Sequence, residues 1–363
     1  MLPYISAVFL SALIFNVAYK FKFNQFARFF TYLLASLPLI AITAFKNITI
    51  GTDTVTYVYF FQKTNSLMQM LHFSQETGEI GFWAMNLLGH FFSNDYFILY
   101  LIITLIVTSC YLYSIKTFKL GTLSFITLLL IGPYFFQMNG TRQAVAIAIF
   151  SVSVIFIIKK QLFFYIISIL IGVLFHKSMI VCLPLYFIFI GEIKARKVAA
   201  ILVIFILFLV FFQSFINIAS DIDFRYSNYG TKRDSAGGVV VSSFNIILLA
   251  WFVLCRKINA HILGTKTYDT LLVLYLLGSL ISILSIVLGI DPSGFLRLSL
   301  YFIQMNMFLL PMTILSFRDD ITRYIITFFA ILLMTLYFYM TTSAFSHLTP
   351  YRFNPIIEAL NEN

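Results

Sequence analysis

The stretch NGTRQAVAIAIFSVSVIFIIKK, residues 139–160, contains an apolar run with an arginine at one end and two lysines at the other. Between Arg142 and Lys159 there is no charged residue. Long uncharged apolar runs are typical of helices that cross a membrane. The stretch therefore predicts a transmembrane helix over residues 143–158, with Asn139, Gly140 and Thr141 as its cap. It also raises the question of what Arg142 does at the start of that helix.

The same pattern recurs along the whole chain of 363 residues, of which 61% are hydrophobic and only 10% are charged. The mean hydropathy is +0.95. A soluble protein of this length needs more polar surface, and a transmembrane barrel would show short alternating segments. We predict an all-α polytopic membrane protein, a single integral membrane domain over residues 1–363, with about twelve transmembrane helices. The predicted spans are 2–19, 29–45, 96–115, 120–138, 143–158, 161–175, 178–190, 198–216, 242–255, 270–290, 296–315 and 323–340.

The distribution of charge supports this count. With the N-terminus outside, 15 of the 24 basic residues fall in short inner loops, and 10 of the 14 acidic residues fall outside. This is the positive-inside pattern, and it places both termini outside. The net charge of +10 then faces anionic lipid rather than nucleic acid. The outer face has two long loops, about 46–95 and 217–241, whose mixed aromatic and polar composition predicts interfacial helices.

Three of the predicted spans are short: 143–158, 161–175 and 178–190. Helices of about 13–16 residues rise only about 20–24 Å, less than a hydrocarbon core of about 30 Å. Their outer ends carry Arg142 and the pair His176-Lys177. We therefore expect a polar recess open to the outside, with these residues on its floor.

Arginines on the outer side are candidate phosphate ligands, because a guanidinium matches phosphate oxygens with two parallel hydrogen bonds. They are Arg142, Arg225, Arg233, Arg297 and Arg352. Alternatively, they pair with outer aspartates or reach the lipid headgroups. Those aspartates are Asp53, Asp221, Asp223, Asp234 and Asp291. Arg142 and Arg297 lack a neighbouring acid that obviously neutralises them in a recess. Arg297 also falls in the first turn of its helix, where the helix end favours anions.

Two further polar residues have both a functional and a structural interpretation. His176, in LFHKSMI, offers a neutral imidazole as a general base, or it is hydrogen-bonded in a helix turn with Lys177 and Ser178 as caps. Asp53, in IGTDTVTY, caps the following helix or binds sugar hydroxyls beside Tyr57. The chain shows no phosphate-binding loop, no zinc motif and no nucleophile elbow.

Five segments carry a resemblance to a known family. In chain order they are GTDTVTYVYFF, NGTRQAVAIAIFSVSV, FHKSMIVCLPLYF, RLSLYF and LTPYRFN. Together they resemble the EpsG-like, Wzy-type bacterial polysaccharide polymerases, which include O-antigen polymerases. The resemblance runs from about residue 50 to 355, and its most specific parts are Arg142-Gln143 and Phe175-His176-x-Ser178.

The resemblance implies a GT-C-like glycosyltransferase that polymerises undecaprenyl-diphosphate-linked repeat units at the periplasmic face of the bacterial inner membrane. In lipopolysaccharide biosynthesis these units form the O-antigen. Neither a metal nor another cofactor is expected. The expected partners are the lipid-linked oligosaccharides, membrane lipids, and the chain-length regulator and flippase of the same pathway.

Within this function, His176 is assigned as base on the acceptor hydroxyl, and Arg142 and Arg297 as ligands of the donor diphosphate. The expected substrate-binding residues are Asp53, Tyr57, Gln143, Lys177, Arg225, Arg233 and Arg352. Two other functions stay open at this point: a ligase that moves polymer onto the lipid A core, and a flippase or secondary transporter. The transporter fits less well, because the predicted midplane is nearly empty of charge.

Overall fold

The computed structural model describes residues 1–21, 24–189, 195–222, 236–289 and 292–355. Within these ranges the regular elements are helices, and the only β pairing is an isolated antiparallel bridge between Lys46 and Phe353. The predicted all-α class is confirmed. The chain divides into two compact units, Met1–Pro184 with Phe328–Asn363, and Leu185–Thr327. The single membrane domain stays a prediction.

Helices are numbered in chain order. In the first unit they are α1 (Leu2–Lys20), α2 (Gln25–Ala44), α3 (Thr54–Lys63), α4 (Leu67–Thr77), α5 (Ile80–His90), α6 (Phe97–Phe118), α7 (Gly121–Leu130), α8 (Thr141–Ile158) and α9 (Leu162–Phe175). Leu185–Thr327 contains α10 (Leu185–Phe189), α11 (Ala195–Val210), α12 (Phe212–Ile222), α13 (Ala236–Ile258), α14 (Ala260–Leu263), α15 (Lys266–Leu288), α16 (Pro292–Ile303) and α17 (Asn306–Leu315). The last helix is α18 (Asp320–Met340), and short 3₁₀ segments follow α7 and α9.

The helix predicted first, α8, lies in the core of the first unit and packs against α6 and α9. Its small side chains Ala144, Ala146 and Ala148 are buried, which lets neighbouring helices approach closely, as is common in membrane proteins. A hydrogen bond of 2.9 Å between the hydroxyls of Ser114 and Ser151 joins α6 to α8.

The turn between α8 and α9 contains Lys159 and Lys160 and reverses the chain. Because the two helices pack side by side, the beginning of α8 lies at the same end as the end of α9. Arg142 and His176 are therefore brought to one end of this hairpin, and the two lysines lie about 27 Å away at the other, given the 1.5 Å rise per residue.

The predicted outer loop 46–95 is largely helical, since it contains α3, α4 and α5. α5 packs against α6 and α9 and buries Phe82 and Trp83. The predicted helices are confirmed, and their place at the membrane interface stays a prediction. The predicted loop 217–241 is helical at both ends, up to Ile222 and from Ala236, and residues 223–235 lie outside the described part of the chain.

Among the described helices, seven are long and apolar enough to cross a membrane: α1, α2, α6, α8, α13, α15 and α18. The pair α16 and α17, bent by 43°, makes up to eight. Shorter apolar helices cover Gly121–Leu130, Leu162–Phe175 and Lys177–Phe189. The protein is thus a multi-pass membrane protein, and the total of twelve spans stays a prediction.

In the second unit, α15 is the common neighbour of α11, α13, α16 and α17. Arg256 near the end of α13 binds Asp269 at the start of α15 through two hydrogen bonds, Nε to Oδ1 at 2.7 Å and the second nitrogen to Oδ2 at 3.2 Å. Such a two-pronged pair fixes the relative position of the two helix ends.

Candidate active site

The fully buried carboxylate of Glu79 joins Arg142 and His176, the two residues predicted from the sequence as phosphate ligand and general base. Arg142 donates a hydrogen bond from a terminal guanidinium nitrogen to Oε2 of Glu79. His176 contacts the other oxygen, Oε1, through Nδ1 at 2.9 Å. The backbone N–H of Lys177 also points at Oε1, at 3.4 Å. Glu79 therefore binds two side chains that lie 63 and 97 residues away along the chain.

The backbone around Glu79 is shaped for this position by two glycines. Gly78 ends α4 in the left-handed conformation, with φ of +69°, which glycine adopts without steric cost. A Cβ atom on Gly81 would lie 3.1 Å from the carbonyl oxygen of Leu174. The absence of side chains at these two positions lets the turn between α4 and α5 lie directly on the end of α9.

Aromatic rings surround the guanidinium of Arg142. Its central carbon lies 5.4 Å from the ring centre of Phe82, 5.7 Å from that of Tyr57 and 5.9 Å from that of Phe60. Cations are attracted to such ring faces within about 6 Å. The Arg142 side chain keeps 17% of its surface exposed, so it is held by Glu79 and by the rings and still reaches the protein surface.

His176 lies where α9 ends, with an extended backbone (φ −154°, ψ 118°). Its side chain is 25% exposed. An imidazole held by a carboxylate at one nitrogen and accessible from the surface is the arrangement used for general acid–base chemistry.

The ionisation of Glu79 follows from opposing influences. Burial raises the pKa of this carboxyl, but the hydrogen bond to His176, the positive charge of Arg142 and the N–H of Lys177 outweigh burial, so that the pKa lies below its ordinary value. Glu79 lies between α4 and α5, outside the spans, and is ionised at neutral pH.

A second buried ionisable group, the amine of Lys46, lies two residues after the end of α2. Its Nζ donates to the carbonyl oxygens of Met138 at 2.6 Å and Ile50 at 3.1 Å, and to the hydroxyl of Thr54 at 2.5 Å. Nζ also lies 4.2 Å from the centre of the Tyr100 ring. Burial lowers the pKa of this ammonium well below its ordinary value, and Asp53 opposes the shift.

Three distant segments meet around Lys46, and each belongs to a sequence motif. The Asn139 side chain accepts from the N–H of Thr52 at 2.9 Å and donates to the carbonyl of Ser346 at 3.0 Å. The backbone N–H of Asn47 donates to the carbonyl oxygen of Arg352 at 2.9 Å. The segments GTDT, NGTR and LTPYRFN thus meet in one polar junction, in which Asn139 lies three residues before Arg142.

The other expected site residues lie as follows. Tyr57 is buried beside Arg142, Gln143 is buried in the first turn of α8, and Lys177 follows His176. Asp53 stands at the N-cap of α3 but its side chain accepts no capping hydrogen bond there. Arg352 is exposed in the polar junction.

For the other three expected arginines the structure gives less. Arg297 lies on α16 in the second unit, whereas Arg225 and Arg233 are outside the described residues. The contacts of all the expected residues with substrate stay predictions. Among the described residues, no group of three or more His, Cys, Asp or Glu side chains could hold a metal ion.

One expectation about Arg142 is wrong, and another is right only in part. Arg142 does have a neutralising acid, because Glu79 reaches it from a part of the chain that sequence proximity does not reveal. Of the three residues expected to cap α8, Gly140 is the N-cap, whereas the side chains of Asn139 and Thr141 do not cap the helix, and Thr141 instead donates to the carbonyl of Gln137 at 3.0 Å.

Glu79 and Lys46 were not singled out from the sequence. The available signal was weak: Glu79 stands between Gly78 and Gly81 in GEIG, ahead of an apolar segment, where a charge has to be explained. Lys46 ends an apolar run at the start of the predicted outer loop, where the positive-inside pattern disfavours lysine.

The protein belongs to the class of multi-pass membrane proteins with a candidate site for acid–base chemistry and anion binding. That site consists of an ionised carboxylate, an imidazole and a guanidinium at one end of an apolar helical hairpin. The EpsG family matches residues 29–353. The chain therefore belongs to the EpsG family, a family of Wzy-like polysaccharide polymerase-type membrane proteins, and the resemblance seen in the sequence is confirmed. No curated protein and no solved structure matches the chain. The family indicates a polymerase-type, glycosyltransferase-like activity on polysaccharide.

Proposed function

We propose that this protein polymerises undecaprenyl-diphosphate-linked oligosaccharide repeat units at the periplasmic face of the bacterial inner membrane, with both termini in the periplasm. The growing glycan leaves its lipid diphosphate and moves to the non-reducing end of a new lipid-linked unit, as in O-antigen synthesis. The observation that carries this proposal is the placement of Arg142 and His176 on one buried carboxylate at a single end of the α8–α9 hairpin. Family membership supports the same conclusion.

The reaction needs two kinds of group. The bond between the anomeric carbon and the diphosphate oxygen breaks, so negative charge develops on the leaving diphosphate, and a guanidinium stabilises that charge. The acceptor hydroxyl forms the new glycosidic bond and loses its proton, which an imidazole takes up. Arg142 and His176 supply these groups, and both keep part of their side chains exposed.

The remaining assignments are part of the same proposal. Arg297 is a further diphosphate ligand, and the substrate-binding residues are those named from the sequence. The substrate is amphiphilic, so the lipid tail stays in the bilayer while the sugar reaches the site from the outer boundary. The proposed chemistry is carried by side chains of this chain alone.

The test is the polymer profile of a strain whose chromosomal copy is replaced by Arg142→Ala. We expect no polymer, while single repeat units still reach the surface. Arg196→Ala is the matched control, because Arg196 is exposed at the start of α11; its profile should equal that of wild type. Long polymer in the Arg142→Ala strain rules the assignment out.

Two outcomes separate this function from its alternatives. Deletion of the gene leaves one repeat unit on the surface for a polymerase and none for a ligase. Purified wild-type protein given lipid-linked repeat units should lengthen them without other proteins. If it moves the units across vesicle membranes and does not lengthen them, the protein is a transporter.

A further inference from the structure

The Glu79 carboxylate touches both proposed reactive groups and is itself shielded from solvent. Its exposure is 0%, whereas its partners Arg142 and His176 keep 17% and 25% of their side chains exposed. A substrate that approaches from the surface reaches the two partners and not the carboxylate. Any effect of Glu79 on the reaction is therefore transmitted through them.

We infer that Glu79 is a positioning residue that fixes the proton of His176 on Nδ1 and the orientation of the Arg142 guanidinium, so that Nε2 of His176 becomes the proton acceptor. This inference rests on the proposed function. It extends that function to a residue that the sequence motifs do not contain.

The tautomer follows from the hydrogen bond. An ionised carboxylate can only accept hydrogen bonds, and Oε1 of Glu79 lies 2.9 Å from Nδ1 of His176. Nδ1 must then carry the proton. In a neutral imidazole the other nitrogen holds the lone pair, so Nε2 is the atom able to take the proton of an acceptor hydroxyl. Glu79 stays ionised during this step and stabilises the imidazolium that forms.

The orientation of Arg142 follows from the opposite oxygen. A guanidinium is a rigid planar fork, and the bond to Oε2 together with the rings of Tyr57, Phe60 and Phe82 defines where its plane lies. Since His176 and Arg142 bind the two oxygens of one carboxylate, base and cation keep a fixed separation. Such pre-organisation is what reaction at two neighbouring centres requires.

The cost of burying this group argues against a role in packing alone. Removing a carboxylate from water is expensive, and apolar residues of similar volume often serve stability equally well. The chain nevertheless builds a turn around it, with Gly78 in the left-handed conformation and Gly81 against Leu174. The turn delivers the carboxylate to the end of α9, where His176 lies.

The decisive variant is Glu79→Gln, which keeps the shape and removes the charge. The amide oxygen can still accept from Arg142, a pure donor, so the amide NH₂ then faces Nδ1 of His176. Nδ1 must accept this bond, which moves the ring proton to Nε2 and removes the base. With purified protein and lipid-linked repeat units, we expect kcat to fall about 100-fold or more, while KM for the units changes less than about threefold.

Two further variants separate positioning from folding. Glu79→Asp retains a carboxylate and should recover at least one tenth of wild-type kcat. In a His176→Ala background, Glu79→Gln should cause no further loss, because the amide oxygen still accepts from Arg142 and the remaining effect passes through His176. All rates are expressed per monodisperse protein, and Glu76→Gln serves as control, since Glu76 is exposed on α4.

The outcomes are distinguishable. Wild-type kcat in Glu79→Gln, with kcat strongly reduced in Arg142→Ala and His176→Ala, overturns the positioning role and leaves the proposed function standing. The same holds if Glu79→Gln lowers activity further in the His176→Ala background, or if only carboxylate variants yield folded protein. Wild-type protein that does not lengthen the units overturns the proposed function and this inference together.

Discussion

Two buried ionisable groups of the segment 46–95, Lys46 and Glu79, have the same exposure, 0%, and different surroundings. Lys46 is satisfied by two backbone carbonyls, one hydroxyl and an aromatic ring face. Glu79 is bound by two ionisable side chains that remain partly exposed. All of the Lys46 partners are neutral. The partners of Glu79 are a guanidinium, which can bind an anion, and an imidazole, which can exchange a proton.

The difference teaches that burial of a charge does not by itself indicate a catalytic role. The ammonium of Lys46 joins the loop 46–54 to Met138, and nothing that it touches can carry out proton transfer at neutral pH. It holds backbone in place. The carboxylate of Glu79 orients an arginine and a histidine, so its contribution is expected in the reaction and only secondarily in stability.

Lys46→Met tests the structural half of this contrast. The change removes the Nζ donor from the carbonyl of Met138 and from the hydroxyl of Thr54, whereas the carbonyl of Ile50 keeps the Thr54 hydroxyl as a donor. We expect a loss of about 2 kcal/mol of stability, since each unmet buried group costs about 1–3 kcal/mol. Thermal unfolding in detergent measures it. Lys63→Met is the control, because Lys63 is exposed over the Tyr59 ring. Lys46→Met protein that is as stable as wild type contradicts the structural role.

Gly51→Ala acts on the same junction through the backbone. Gly51 has φ of +92°, and an added Cβ would overlap the Met138 carbonyl oxygen and lie 2.6 Å from Oδ1 of Asn139. Strain and overlap together should cost roughly 2–4 kcal/mol. Gly289→Ala provides the control, because Gly289 also has a positive φ but has open space around it. Equal losses of stability in the two variants would show that the junction accommodates the added methyl group without strain beyond that of the positive φ.

The pH dependence of stability tests the ionisation of Glu79. A carboxyl whose pKa is lower in the folded than in the unfolded protein stabilises the fold above its unfolded pKa, and that contribution is lost as the pH falls through the folded value. The stability difference between wild type and Glu79→Gln, about 1–3 kcal/mol at pH 7, should therefore shrink below the ordinary carboxyl pKa of 4.5. A difference that stays constant from pH 7 to pH 3 shows that the carboxylate charge contributes no stability.

Gly78→Ala should have the smallest effect. The left-handed φ of +69° costs roughly 1–2 kcal/mol for alanine, but the added Cβ meets only the far end of the flexible Lys177 side chain, whose Cε would lie 2.6 Å away. We expect a modest fall in unfolding temperature and polymer of normal length. Loss of polymer at normal expression would indicate that the turn before Glu79, or Lys177 itself, tolerates no displacement.

Arg142 and His176 could be predicted as site residues, because a charge or an imidazole at the end of an apolar run requires a physical explanation and such residues are few in this sequence. Their meeting at one end of the α8–α9 hairpin was also predictable, since a short turn at Lys159 and Lys160 joins the two helices. Glu79 was not, because no local pattern relates it to residues 63 and 97 positions away.

The capping role expected for Asn139 failed for a related reason. Asparagine before a helix is a good local cap, but its side chain bonds instead to Thr52 and Ser346, which approach from distant segments. Tertiary contacts that satisfy both ends of the amide took precedence over the local one.

The amino-acid sequence alone specifies a multi-pass helical membrane protein of the EpsG family, because apolar runs, loop charges and the order of motifs can be read directly from the order of residues. It also indicates which polar residues need an explanation. Folding adds the partnerships: Glu79 with Arg142 and His176, and Lys46 with the junction of three motifs. A buried charge must find its partners wherever the packed chain brings them, and that placement depends on how helices and glycine turns fit together in space.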